Sequence, residues 1–313
     1  MKLLDIFLSG RTALPALPPP RRAVVALGGG GARGIAHLGV MQSIGESGVQ
    51  TERIVGVSMG SLVGAMCAAD RDILRVQAKA IELLHSPIFH RKQQVLFGAA
   101  PPADEESSGG IFSWYGRIRR YLGAHRKLSR VVTSASLIPA DPLRDSIDYL
   151  LPDVDLQDLP IPMSIVAVDL LSGQRVVLEK GPLRRAVLAS SAIPGIFPPV
   201  PWDGMLLSDI GVVESVPAMV AKTYASDMTI AVDVGQDHTK IDQCKTAIEV
   251  MMRVDDICEQ LLRRKILEPA DLVIRPSVGN VAWFDFSEPE RLIDEGRSAG
   301  HRALGTMGKA SAA

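Results

Sequence analysis

The residues with the plainest chemical promise are Gly56-Val57-Ser58-Met59-Gly60. Their G-x-S-x-G spacing is that of a nucleophile elbow. A short β-branched run, Ile54, Val55 and Val57, stops at the serine, and a helix-forming segment from Met59 to Ala69 begins at once. A strand that turns directly into a helix forces its corner residue into a tight conformation. Side chains two positions before and after that corner would collide, so Gly56 and Gly60 fit there. The corner hydroxyl is pushed out above the sheet, facing the positive end of the helix, where charge developing in acyl transfer is stabilised. The same five residues also describe an ordinary strand-to-helix turn. The flanking strand and helix separate the two readings.

A second promising stretch follows the apolar strand Ala23 to Leu27: Gly28-Gly29-Gly30-Gly31-Ala32-Arg33-Gly34, then a helix over 35–46. Consecutive glycines let main-chain N–H groups approach a ligand closely, and the helix end adds positive potential. One βα unit separates this loop from the elbow. A right-handed crossover opens both at the same sheet edge, an amide cradle beside a hydroxyl. Gly29-x-Gly31-x-x-Gly34 also satisfies a dinucleotide fingerprint, so a nucleotide-binding α/β domain is a rival expectation. That fingerprint wants an acidic residue at the end of the second strand, and Ser58 stands there instead.

Asp209 follows an apolar strand, with Leu207, Ile210 and Val212 around it and Gly211 close behind. An apolar setting raises a carboxyl pKa and suits it to act as a base. A capping or turn aspartate would look the same. The order Ser58, Asp209, His238 also fits an α/β-hydrolase triad, although only one strand precedes the elbow.

These groups need a sheet to hold them. Buried strands are expected at 23–27, 54–57, 161–168, 174–178, 229–234 and 272–275, with a turn and strand at 202–207. Helices are expected at 59–69, 72–84, 241–267 and 289–307. The 313 residues are 47% hydrophobic but 4% aromatic, which suits an aliphatic parallel sheet covered by helices. The net charge of −1 gives no argument for nucleic acid. Cys67, Cys244 and Cys258 lack metal or disulfide spacing and read as reduced, buried thiols of a cytoplasmic protein; neither metal nor cofactor is implied.

Residues 1–21 read as a tail with a Pro-rich linker, too short and interrupted in its apolar part for a signal peptide or membrane span. Residues 22–308 are expected to form one domain. Within it, 86–130 changes character: Phe89, Phe97, Phe112, Trp114, Tyr115 and Tyr121 mingle with eight basic residues against three acidic ones. That mixture suits a lid, a peripheral contact with anionic membrane, or a plain solvated cap.

Taken together, the blocks resemble the patatin-like phospholipases, over about 23–234. Gly28 to Val40 is similar to their glycine-rich block, Gly56 to Gly60 to their elbow, and Ala189 to Val200 to the segment preceding their catalytic aspartate. The resemblance implies a three-layer α/β/α fold with a mostly parallel sheet and a Ser58–Asp209 dyad. It implies an oxyanion hole from Gly28, Gly29, Gly30 and Gly31 with Arg33 and the Met59 N–H, and a phospholipid or other acyl-ester substrate. A non-catalytic lipid-binding member of the fold is the alternative. Ile210 stands where that family usually has glycine, and is expected to narrow the site or shift Asp209.

Overall fold

β1 (Arg22–Leu27) is buried along all but its first residue, so its side chains must be apolar on both faces. In the computed structural model, which describes residues 21–97, 136, 138–211, 213–236, 241, 243–244 and 247–310, β1 lies centrally in an eight-stranded sheet. Its partners are β2 (Gln50–Val57) and β7 (Met228–Val232), both parallel to it. β3 (Met163–Asp169) extends the parallel set beyond β2, and β8 (Leu272–Ile274) extends it beyond β7. The other edge is antiparallel: β4 (Gln174–Leu178) and β6 (Met205–Ser208) pair with β3, and β5 (Val200–Trp202) with β6. The fold is a three-layer α/β/α sandwich on a mostly parallel sheet.

Alternation along β1 divides the core. Ala23, Val25 and Leu27 join the larger cluster, beneath α1 (Ala36–Glu46), α2 (Met59–Ala69) and α3 (Ile73–His85). Val24 and Ala26 face a smaller cluster with α7 (Ala218–Ala221) and the end of α8 (Ala247–Leu267). The larger side also holds α4 (Pro87–Phe97), α5 (Asp141–Leu150), α6 (Leu183–Ser190) and α9 (Pro289–Ala310). α9 lies backbone-to-backbone on α1: a Cβ at Gly296 would come within 1.9 Å of the Ala36 carbonyl oxygen.

The sequence reading needs several corrections. The helix after the glycine loop opens with a 3-10 turn, Gly31–Ile35, which tightens the chain before α1. α8 begins at Ala247, not 241. Part of the stretch singled out at 86–130 is helix α4; 98–130 lies outside the described residues, as do 1–20 and His238. Of the cysteines, only Cys67 is buried; Cys244 and Cys258 are exposed. Among the described residues, no helix is long and apolar enough to cross a membrane, and no group of His, Cys, Asp or Glu could hold a metal ion.

Candidate active site

β2 ends on Val57, and Ser58 turns the chain into α2 with φ 53° and ψ −126°. This is costly backbone for a residue with a Cβ, and persists only where its surroundings over-determine it. The surroundings are specific. The Ser58 N–H donates to Ser190 Oγ at 3.0 Å, and Ser190 Oγ donates in turn to the Val166 carbonyl at 2.7 Å. The Ser58 carbonyl accepts from Ser61 N–H at 2.9 Å, Ser61 Oγ at 2.7 Å and Ser191 Oγ at 3.5 Å. The flanking glycines are sterically required. A Cβ at Gly56 would lie 2.6 Å from the Gly60 oxygen, and one at Gly60 would lie 2.2 Å from the Leu27 oxygen.

Asp209 leaves the end of β6 and is 5% exposed. Its N–H donates to the Ala192 carbonyl at 2.9 Å, which also accepts from Ser208 Oγ at 2.6 Å. Its side chain interacts with the Ser58 hydroxyl, and its Oδ1 accepts the Gly211 N–H at 2.7 Å. Burial drives the carboxyl pKa up to about 6, while the Ser58 interaction and the Gly211 hydrogen bond hold it back.

The turn that links these two residues is Ser190-Ser191-Ala192. Ser190 and Ser191 grip the elbow while Ala192 holds the Asp209 backbone. Reading the sequence missed this role, since nothing local distinguishes Ser190 from any serine ending a helix. Ser190→Ala would leave the buried Ser58 N–H without an acceptor. We expect it to cost about 1–3 kcal/mol of stability, read as a lower urea midpoint.

The glycine loop lies beside the elbow: a Cβ at Gly29 would touch Ser58 Cβ at 3.1 Å. Not all four glycines offer amides, however. The Gly28 N–H donates to the Val232 carbonyl at 3.1 Å, continuing the β1–β7 ladder, and the Gly29 N–H donates to the Ser215 carbonyl at 2.8 Å. This corrects the expected donor set, because both are spent on the scaffold. Gly30 and Gly31 turn the chain with φ of 157° and 57°. A Cβ at Gly31 would strike the Trp283 oxygen, so the strand-following loop sits directly on that residue.

Arg33 is also turned away from the expected role. Its Nε donates to the Gly30 carbonyl at 3.2 Å, and its buried guanidinium feels Glu259, Arg263 and Asp233. Burial lowers its pKa to about 10. His37, which the sequence reading passed over, is fully buried with Nε2 2.8 Å from the Gly28 carbonyl. Burial depresses its pKa to about 4, so it is neutral and donates from Nε2. Both residues therefore hold carbonyls of the loop.

Ser58 opens into a cavity of about 150 Å3 bounded by Met59, Leu62, Met66, Leu84, Phe89 and Trp283, among other apolar side chains. Met59 is wedged against Gly34 and forms part of this wall. Ile210 does not. It joins Val24, Val55 and Val166 in the core on the opposite side of the sheet, so it does not narrow the cavity.

A family model for patatin-like phospholipases matches residues 25–222. The chain belongs to the patatin-like phospholipase family. An uncharacterised NTE family protein of Mycobacterium tuberculosis is 33% identical over 211 residues, covering 67% of this chain and 48% of that protein. Human patatin-like phospholipase domain-containing protein 6 is 30% identical over 220 residues, 69% of this chain but 14% of that protein. The chain thus spans about half of the mycobacterial relative, and far less of the human one. Among solved structures, VipD from Legionella pneumophila aligns over 92% of this chain and 67% of its own, with TM-score 0.44 and 14% identity. The patatin match ends at residue 222, so Trp283, which closes the cavity, comes from chain beyond it.

Proposed function

We propose that this patatin-like protein is a serine lipid acyl hydrolase, a phospholipase A, lysophospholipase or carboxylesterase, working through a Ser58–Asp209 dyad. The observation that carries this is the Ser58 hydroxyl, set on a strained strand-to-helix corner that lines an apolar cavity and interacting with the buried Asp209 carboxyl. Ser58 Oγ attacks the ester carbonyl as Asp209 takes its proton. The oxyanion is held by the N–H groups of Gly30, Gly31 and Met59, with Arg33 and His37 fixing the loop that carries the first two. Collapse expels the alcohol, which leaves with the proton from Asp209. Water then attacks the acyl-enzyme, giving its proton to Asp209, and Asp209 passes that proton to Ser58 Oγ as the acyl bond breaks and the free acid departs.

The acyl chain occupies the apolar cavity. The same region serves nucleotides poorly: with the Gly28 and Gly29 amides spent, the loop offers little cradle for a pyrophosphate, and the neighbouring strand brings a serine where a ribose would want a carboxylate.

A panel of p-nitrophenyl esters of increasing chain length, together with lysophospholipids, tests the reading. Turnover of at least one class is expected, improving with acyl length until the cavity is filled. No turnover on any member would leave a lipid-binding scaffold as the better account.

A further inference from the structure

The cavity beside Ser58 has a floor, and helix α2 measures its depth. Ser58 stands at the start of that helix, and Leu62 and Met66 follow at intervals of four residues, so the three line the cavity from one face. Eight residues of α-helix advance about 12 Å. Side chains on a helix lean toward its N-terminus, so Met66 reaches back toward Ser58 and shortens that depth. Ala80 of α3 and Leu150 of α5 line the cavity from the neighbouring helices. Met66, Ala80 and Leu150 are all buried. Lys79 Nζ donates to the Leu150 carbonyl at 3.1 Å, which fastens the end of α5 against α3 beside Ala80. The end remote from Ser58 is therefore closed.

Volume and length agree on what fits. The cavity holds about 150 Å3. An apolar cavity of about 150 Å3 accommodates one benzene ring, roughly six carbons. A staggered alkyl chain with bonds of about 1.5 Å advances about 1.3 Å per carbon, so the helix spacing sets an upper bound of about nine carbons. The lining favours plain hydrocarbon. Ser146 Oγ donates to the Pro142 carbonyl at 2.9 Å, and Gln93 Nε2 to the Phe284 carbonyl at 2.6 Å, so both polar side chains spend their donors on the main chain. Phe89 meets Phe286 edge-on, with ring centroids 5.5 Å apart at 90°, and both rings border the cavity. Phe286, like Trp283, comes from chain beyond the patatin match, so this boundary belongs to the present chain and not to the family block.

We propose that the substrates are esters of medium-chain, unsubstituted acids, with an optimum at about six to eight carbons, and that Met66 and Ala80 are the side chains that set this limit. The inference rests on the Ser58–Asp209 acyl-hydrolase reading and narrows its substrate class. The longer acyl chains of membrane phospholipids overrun the cavity: their surplus methylenes stay in water or pull the ester carbonyl away from Ser58.

The test is kcat/KM on p-nitrophenyl esters from acetate to hexadecanoate, all in the same detergent dispersion. The values should rise to a maximum at hexanoate or octanoate. They should then fall by about tenfold or more toward hexadecanoate, because a single methylene that a pocket cannot fit is worth about that much. Labelling rates with butyl, octyl and hexadecyl fluorophosphonates should follow the same order. Ala80→Leu brings extra carbons into the cavity and should move the maximum to a shorter chain. Met66→Ala removes most of the floor and should move it to a longer one. Ala80→Leu fills existing space, so it decides the matter even where melting curves show Met66→Ala to be unfolded. A side chain with only a structural role would lower all rates together and leave the maximum in place.

A wild-type profile that climbs to hexadecanoate, or a maximum that folded variants do not move, overturns the limit while leaving acyl hydrolysis standing. Absence of turnover on every ester, together with no labelling at Ser58, removes the hydrolase reading and this inference with it.

Discussion

Replacing Ser58 with alanine should lower ester turnover by about 10^4-fold or more and abolish covalent labelling by a fluorophosphonate probe. The magnitude follows from what is removed. Without Oγ no acyl-enzyme can form, so only binding and the amide cradle remain to assist direct attack by water. The fold should survive the change. Every bond that grips the corner uses the Ser58 main chain: Ser190 Oγ accepts its N–H, while Ser61 and Ser191 donate to its carbonyl. Alanine keeps those bonds and loses only the hydroxyl's interaction with Asp209. A Ser58→Ala protein with a native melting curve and no turnover therefore reports chemistry. One that still hydrolyses esters or still takes the probe at this site would defeat the dyad, and mass spectrometry of the labelled peptide would show which residue replaced it.

The contrast between Ser58 and Ser190 shows what a sequence makes legible. Ser58 announces itself because the steric demand is local: Gly56 and Gly60 must lie two residues away on either side, and the strand and helix adjoin. The parallel sheet was similarly readable, since most of β1 and the second half of β2, Ile54 to Val57, are apolar runs, whereas the polar first half of β2, Gln50 to Arg53, was not. Ser190 was legible only as part of a resemblance, because its work is to accept a hydrogen bond from a residue 132 positions earlier. The glycine run illustrates the same limit from the other side. Four glycines declare a close approach, but which amides remain available depends on Val232 and Ser215, far along the chain. Ile210 was misjudged because a substitution next to a reactive group suggests interference. The face on which it sits is set by how the chain leaves β6, and it leaves toward the smaller core. In α8 the helix was visible, but not that Val250, Val254, Ile257 and Leu261 stay in solvent.

Asp209→Asn should move activity and stability in opposite directions. Ester turnover should fall by about 10^2- to 10^4-fold, the usual worth of a positioned general base. The wild-type profile carries the same signature. With the carboxyl pKa raised to about 6, kcat/KM should be level above that pH and fall about tenfold per unit below it, as the base becomes protonated. Stability follows from the same displacement. The unfolded carboxyl titrates near 3.9, and the folded one higher, so the native state favours the neutral form. The stability associated with that form is complete below about pH 4 and is lost as pH rises through about 6. Two units correspond to about 3 kcal/mol of buried-charge penalty at neutral pH and above. Asparagine carries no charge to bury. In urea denaturation, Asp209→Asn should therefore exceed wild type at pH 8, with the gap closing toward pH 4. A carboxyl present only to cap a turn would lose stability when amidated and leave the pH–rate profile flat through 6. A stabilised, inactive variant at pH 8 is the outcome that only a base held in an unfavourable site for its chemistry would give.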